Sequence, residues 1–187
     1  MRPSAGLHDA LADLLEYPRE GHGARTRALA DRVSAELPEA AHDLAALVRL
    51  AEAGDLGACE EIYVRTFDGN AERALEVGWQ VFGEQYARGA FLVRLREWMR
   101  ECGVAETSEL PDHLTHVLRL IGRLPDETAR LLVGAAVEPS LARVRKGLED
   151  DSPYGGVLAA VAKAVAAHGE ESSPALAAAG SAKGAAR

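Results

Sequence analysis

The chain has 187 residues, 48% of them hydrophobic, which suits one compact domain with a sizeable core and would leave two domains cramped. Its 29 acidic residues outweigh 21 lysines and arginines for a net charge of -8, and no basic run is long enough to neutralise a row of phosphates. Nucleic acid and anionic membrane surfaces are therefore poor partners, and a basic peptide is a better electrostatic match.

Cys59 and Cys102 stand apart without a CxxC pair, which excludes a disulfide framework and a cysteine-built zinc or iron-sulfur site and fits a reducing cytoplasm. The opening MRPSAGLHDALADLL holds Asp9 and Asp13 inside its apolar stretch and does not read as a secretory signal. VLAAVAKAVAA, from Val157, is about half the length of a bilayer span and contains Lys163. A cytoplasmic, soluble protein is expected.

Alanine and leucine dominate, aromatics are only 5%, and apolar residues recur at spacings of three and four, so the predicted fold is all-α. Leu7, Leu11, Leu14 and Leu15 form a first stripe that stops before Tyr17-Pro18. Leu29 and Val33 belong to a second that stops before Leu37-Pro38. Leu44, Leu47, Val48 and Ala51 form a third, ended by Gly54. Asp55 is placed to cap a fourth through Cys59, Ile62 and Tyr63, which runs out at FDGN. A short segment around Trp79 and Phe82 precedes a long helix from Glu84 to about Cys102. ELPDHL starts the next, Pro125-Asp126 another, which Pro139 interrupts or restarts, and Ser152-Pro153 the last. The expectation is a single-domain helical bundle of about eight to ten helices over residues 1–167. The Gly/Ser/Ala-rich segment 168–187 reads as a flexible tail.

Motifs for chemistry are missing. There is no GxSxG, no P-loop and no GxGxxG, and no cysteine has an evident histidine partner. His113 and His116 are three apart with no intervening glutamate and no third ligand, which falls short of a metal site. On a helical wheel Leu114, Val117, Leu118 and Ile121 share one face, with His113 at its edge and His116 nearly opposite, so His116 is expected in solvent. Glu60-Glu61, Glu109, Asp112 and Asp150-Asp151 read as solvated helix ends and faces. Tyr63 and Phe67 lie one turn apart, as in a packed stripe, with Asp68 exposed where the helix frays. Gly83 and Gly89 interrupt a stretch otherwise suited to helix, and close backbone contact is one reason to keep them.

Taken in order, LLEYPRE at Leu14, YVRTFD at Tyr63, VFGEQYARG at Val81, ELPDHL at Glu109 and DDSPYGGVLAAV at Asp150 resemble the motifs of the NarJ-type molybdoenzyme assembly chaperones, the nitrate reductase branch of the TorD/DmsD-like family. The resemblance implies an all-helical, non-catalytic cytoplasmic protein with no cofactor or metal of its own. Its partner would be the apo catalytic (alpha) subunit of a respiratory nitrate reductase, held by its N-terminal peptide until molybdenum cofactor insertion and complex assembly. By the same resemblance, Tyr63, Phe67, Asp68, Trp79, Gly83, Tyr86, Arg88, Pro111, Asp112 and His113 are expected to contact the client peptide. In this reading Pro111 fixes the first turn of a helix that presents Asp112 and His113.

Thr115 and Arg119 stand where the family motif usually continues with proline and glutamate. That change keeps open a client from a selenate, chlorate or hydrocarbon dehydrogenase system of the dimethyl sulfoxide reductase superfamily. A non-catalytic helical adaptor is the alternative from a different class.

Overall fold

The computed structural model describes residues 2–170. Over that span the chain forms α1 (Ala5–Asp13), α2 (His22–Glu36), α3 (Ala40–Glu52) and α4 (Leu56–Tyr63), which runs into a π turn (Val64–Asp68). Next come α5 (Val77–Phe82), α6 (Tyr86–Cys102), α7 (Leu114–Ile121) and α8 (Asp126–Leu132), the last joined by a second π turn (Val133–Val137) to α9 (Glu138–Gly147). The described chain ends with α10 (Pro153–Glu170). The architecture is the all-α bundle that the apolar spacing predicts. Its one β feature among the described residues is an isolated antiparallel bridge between Glu76 and His113.

Local chemistry sets most of the boundaries. Ser4 Oγ accepts from the Leu7 amide at 3.0 Å, and Asp55 Oδ1 accepts from the Ala58 amide at 3.1 Å, as expected for that cap. Pro139 lies in the first turn of α9 and has no N–H for the carbonyl four residues earlier, and the wider π turn just before it accommodates that missing bond. The helix expected from Glu84 begins two residues later, because Gly83 ends α5 at φ 57°, a left-handed backbone suited to glycine.

The apolar run that is too short for a membrane is the heart of the core. Tyr154, Val157, Leu158, Ala160, Val161 and Ala164 on α10 are all fully buried, packed chiefly on α3. Helix α3 also packs on α2, and α1 packs on α7. No helix among the described residues is long and apolar enough to cross a membrane. Helix α10 continues past the expected domain limit at 167. His168 on its last turn is buried, its Nε2 3.1 Å from Nε2 of His8 on α1. The rest of the expected tail, 171–187, lies outside the described residues.

Helices α3 and α10 approach so closely that a Cβ on Gly156 would come within 1.8 Å of the Asp43 carbonyl oxygen, whereas Gly155 faces open space. Gly156→Ala is expected to push the two helices apart and to destabilise by about 1–3 kcal/mol. Gly155→Ala should be neutral or slightly stabilising, because it only removes a glycine from a helix. Urea unfolding of the two variants checks the pair.

Candidate functional site

A cleft with a volume of about 580 Å³ opens between the loop after α1, the π turn after α4 and the segment leading into α5. Its floor is aromatic. Tyr63 meets Tyr17, Phe67 and Tyr154 edge to face at centroid separations of 5.2–5.7 Å, and Phe67 meets Tyr154 at 4.9 Å. Such pairs add to the burial of their apolar area. The Tyr63 hydroxyl donates to the Leu15 carbonyl at 3.1 Å, tying α4 to the end of α1, and burial pushes its pKa well up.

The π turn closes with the Gly69 amide on the Val64 carbonyl at 2.9 Å. It places Phe67 inward at 2% exposure and leaves Asp68 exposed on the rim. Glu76 and Glu109 join Asp68 around the opening, with Arg19 the one cation among the lining residues. Partial burial holds the Asp68 and Glu76 carboxyls above their usual range, and for Glu76 nearby Asp112 adds to the effect.

The wall beside this cleft is a clamp built by the ELPDHL stretch. The Val77 amide donates to the Asp112 carbonyl at 2.7 Å, and the Leu114 amide donates to the Leu75 carbonyl at 2.8 Å, so two extended pieces pair as a minimal antiparallel ribbon. Asp112 is fully buried, and its Oδ2 accepts from Arg88 Nε on α6 at 2.9 Å. The Arg88 guanidinium also lies 5.6 Å from the Trp79 ring centre. Gly78 makes room for the carboxylate: a Cβ there would lie 2.5 Å from Asp112 Oδ2.

The expectation that Asp112 is presented outward therefore gives way, because its charge is spent on joining α6 to the ribbon. Pro111 does not open the helix either. It is buried ahead of α7, whose N-cap is His113.

His113 Nδ1 accepts from Thr115 Oγ1 at 2.8 Å, and burial lowers the ring's pKa to about 4. The ring is only 6% exposed, yet it lines the cleft, in keeping with its place at the edge of the apolar face. His116 overturns the solvated reading, since it is fully buried. Its Nδ1 donates to the Leu110 carbonyl at 3.0 Å and its Nε2 accepts from Thr107 Oγ1 at 3.1 Å. The ring staples the loop before α7 to the helix. A helical wheel assumes that one face is wet, but α7 is covered on nearly every side.

Of the expected contact residues, Tyr63, Phe67, Asp68 and His113 converge on the aromatic cleft. Trp79 and Gly83 open instead on a second cleft of about 550 Å³ between α5 and α9. The open space around Gly83 replaces the close backbone contact expected there, and Gly89 likewise has nothing near it. Tyr86 is 94% exposed at the start of α6 and lines neither cleft. Sequence reasoning passed over Tyr17, Arg19 and Glu76, and it placed Glu109 among the merely solvated acids. Tyr17 carried a signal, an aromatic held at a helix end by the following proline; Glu76 carried none. Among the described residues no three histidine, cysteine, aspartate or glutamate side chains cluster as a metal site.

Fold and cleft together define a helical scaffold with an open, acid-rimmed aromatic recess. The family model described as nitrate reductase delta subunit matches residues 30–160, and the chain belongs to that family. It is thus a molybdoenzyme assembly chaperone of the NarJ type, a family of chaperones and not of catalytic subunits. A search of curated proteins found no match.

Two outcomes test the wall of the cleft. Asp112→Ala is expected to cost about 1.5–3 kcal/mol of stability, the range for a hydrogen bond to a charged group. It should stay below the loss from a fully dry pair, because Arg88 keeps 20% exposure. A double-mutant cycle with Arg88→Ala should return most of that energy as coupling.

His113 has a folded pKa near 4 against an ordinary 6.5, so it is neutral in both states above pH 6.5 and its contribution is then complete. As pH falls from 6.5 to 4 the unfolded chain gains a proton that the folded one refuses, and about 3 kcal/mol is lost over that window. His8, its pKa also lowered by burial, adds to the slope. His113→Asn, which retains a capping acceptor, should flatten the dependence of urea midpoint on pH.

Proposed function

We propose that this chaperone binds the apo catalytic subunit of a respiratory nitrate reductase in the cytoplasm. It would hold the subunit through its N-terminal segment while the molybdenum cofactor is inserted and the complex assembles. The observation that carries the reading is the aromatic cleft with Asp68, Glu76 and Glu109 at its opening. An amphipathic helix with one basic residue beside an apolar anchor answers both halves of that surface: the anchor meets Tyr17 and Phe67, and the cation meets the rim carboxylates. Partial burial raises the pKa of the Asp68 and Glu76 carboxyls, and a Lys or Arg beside them would favour their charged form.

We read Thr115 and Arg119 as giving no separate support to a different client. Thr115 is buried against His113, and Arg119 donates to Asp13 at 2.6 Å and to Glu16 at 2.7 Å, which locks α7 to the end of α1. These departures from the family pattern are internal fittings. A peptide on the surface meets neither as a free group.

Calorimetric titration with the N-terminal peptide of a nitrate reductase catalytic subunit from the same organism tests the reading. Asp68→Ala and Glu109→Ala should each weaken binding by about tenfold or more, as loss of a partly desolvated charge pair does, with unchanged melting temperatures. Tyr86→Ala, outside the lining of the recess, should bind like the parent. Parent-like affinity in both acid variants would remove the cleft as the docking site.

A further inference from the structure

The second cleft is unlike the rest of this acidic molecule. It lies on the other side of the segment before α5, sharing only Ala71 with the aromatic cleft, and is walled by α5 and the last turn of α9. Lys146 stands at its edge, exposed and without a hydrogen-bond or ion-pair partner among the described residues. One turn earlier Arg143 uses a single nitrogen on the Gln80 carbonyl. Arg145 is exposed on the same turn of α9 but outside the lining, and Arg73, which packs against Gly147, is paired with Glu149 at 3.9 Å. Glu72 is the one acid in the lining. In a chain of net charge -8, this lining sets two cations, Arg143 and Lys146, against a single acid.

The floor is apolar and already rigid. Trp79 is half-buried, its indole N–H donating to the Ala71 carbonyl at 3.0 Å, so the ring is fixed and its polar atom satisfied. Gly83, where a Cβ would meet nothing within 4 Å, leaves space beside it. A fixed aromatic face next to a gap takes an apolar side chain at low entropic cost, and the volume of about 550 Å³ lies within the range of ligand sites. Cations at the edge of such a floor select the sign of the flanking residues.

We propose that the α5–α9 cleft is a second docking site, for an acidic peptide segment that seats one apolar residue on Trp79 and places a carboxylate against Lys146 and Arg143. This does not depend on the aromatic cleft being the client site. A polyphosphate or nucleic acid fits less well, since Glu72 sits in the lining and Arg143 is already engaged by a carbonyl. The two clefts thus complement opposite charges on either side of one short segment.

The reporter is the full chain carrying Trp98→Phe, which leaves Trp79 as the only tryptophan. It is titrated with a short helical peptide of leucine and glutamate, with the same peptide carrying lysine for glutamate, and with inorganic triphosphate. The acidic peptide should shift Trp79 emission saturably, and Lys146→Glu, which breaks no internal contact, should weaken that binding about tenfold or more. Asp68→Ala should leave it unchanged, separating this site from the aromatic cleft. A lysine peptide that binds equally well, an unaltered affinity in Lys146→Glu, or a response to triphosphate alone would each overturn the proposal.

Discussion

A carboxylate with no access to solvent must find its partner inside the protein, and Asp112 finds Arg88 on α6, an element that begins 26 residues earlier in the chain. That pair, with the backbone bonds between Leu75–Val77 and Asp112–Leu114, gathers three otherwise loosely connected pieces: the segment before α5, the N-terminal half of α6 and the entry to α7. Neither α5 nor α6 buries much apolar surface of its own; on α6 only Leu95 and Met99 are fully inside. A buried ion pair is an inefficient source of net stability, but it is selective about geometry, and geometry is what this corner of the bundle lacks. Both clefts take a wall from the segment that the pair holds in place.

The rest of the molecule positions that corner. Helices α3 and α10 form the dense half of the bundle, where Gly156 permits near-contact of backbones, and they fix α1 and α7 through the leucine core. The end of α1 then delivers Tyr17 and the Leu15 carbonyl that Tyr63 requires. Asp13 and Glu16 meet Arg119 and Arg25 there, so the same helix end is pinned electrostatically to α7 and α2. The aromatic floor is thereby a product of the rigid half, whereas the acids around it come from the π turn and the segment ahead of α5.

Much of the fold was legible because it depends on local periodicity. The stripes on α1 and α3, the cap at Asp55 and the break before Pro38 each involve residues within one or two turns of each other, and all appear where the spacing puts them. Phe67 inward and Asp68 outward could be read in the same way. His116 and Asp112 could not. A single-helix wheel gives each polar residue a wet side, and the loop from Thr107 to Pro111 and helix α6 remove that side by packing over it. For Glu76 no local pattern distinguishes a cleft acid from any surface acid.

Composition and spacing by themselves determined that the chain is helical, acidic and without motifs for chemistry, and its motif order pointed to the chaperone family, because those properties are sums over sequence or relations between near neighbours. Which polar residues are spent inside the protein and which remain for a partner was decided by tertiary structure alone. ELPDHL contains an acid and a histidine that look equally available on paper. Burial converts the acid into a strut for α6 and the histidine into a neutral cap on the cleft wall, since the energy of a charged group depends on the distant elements that surround it.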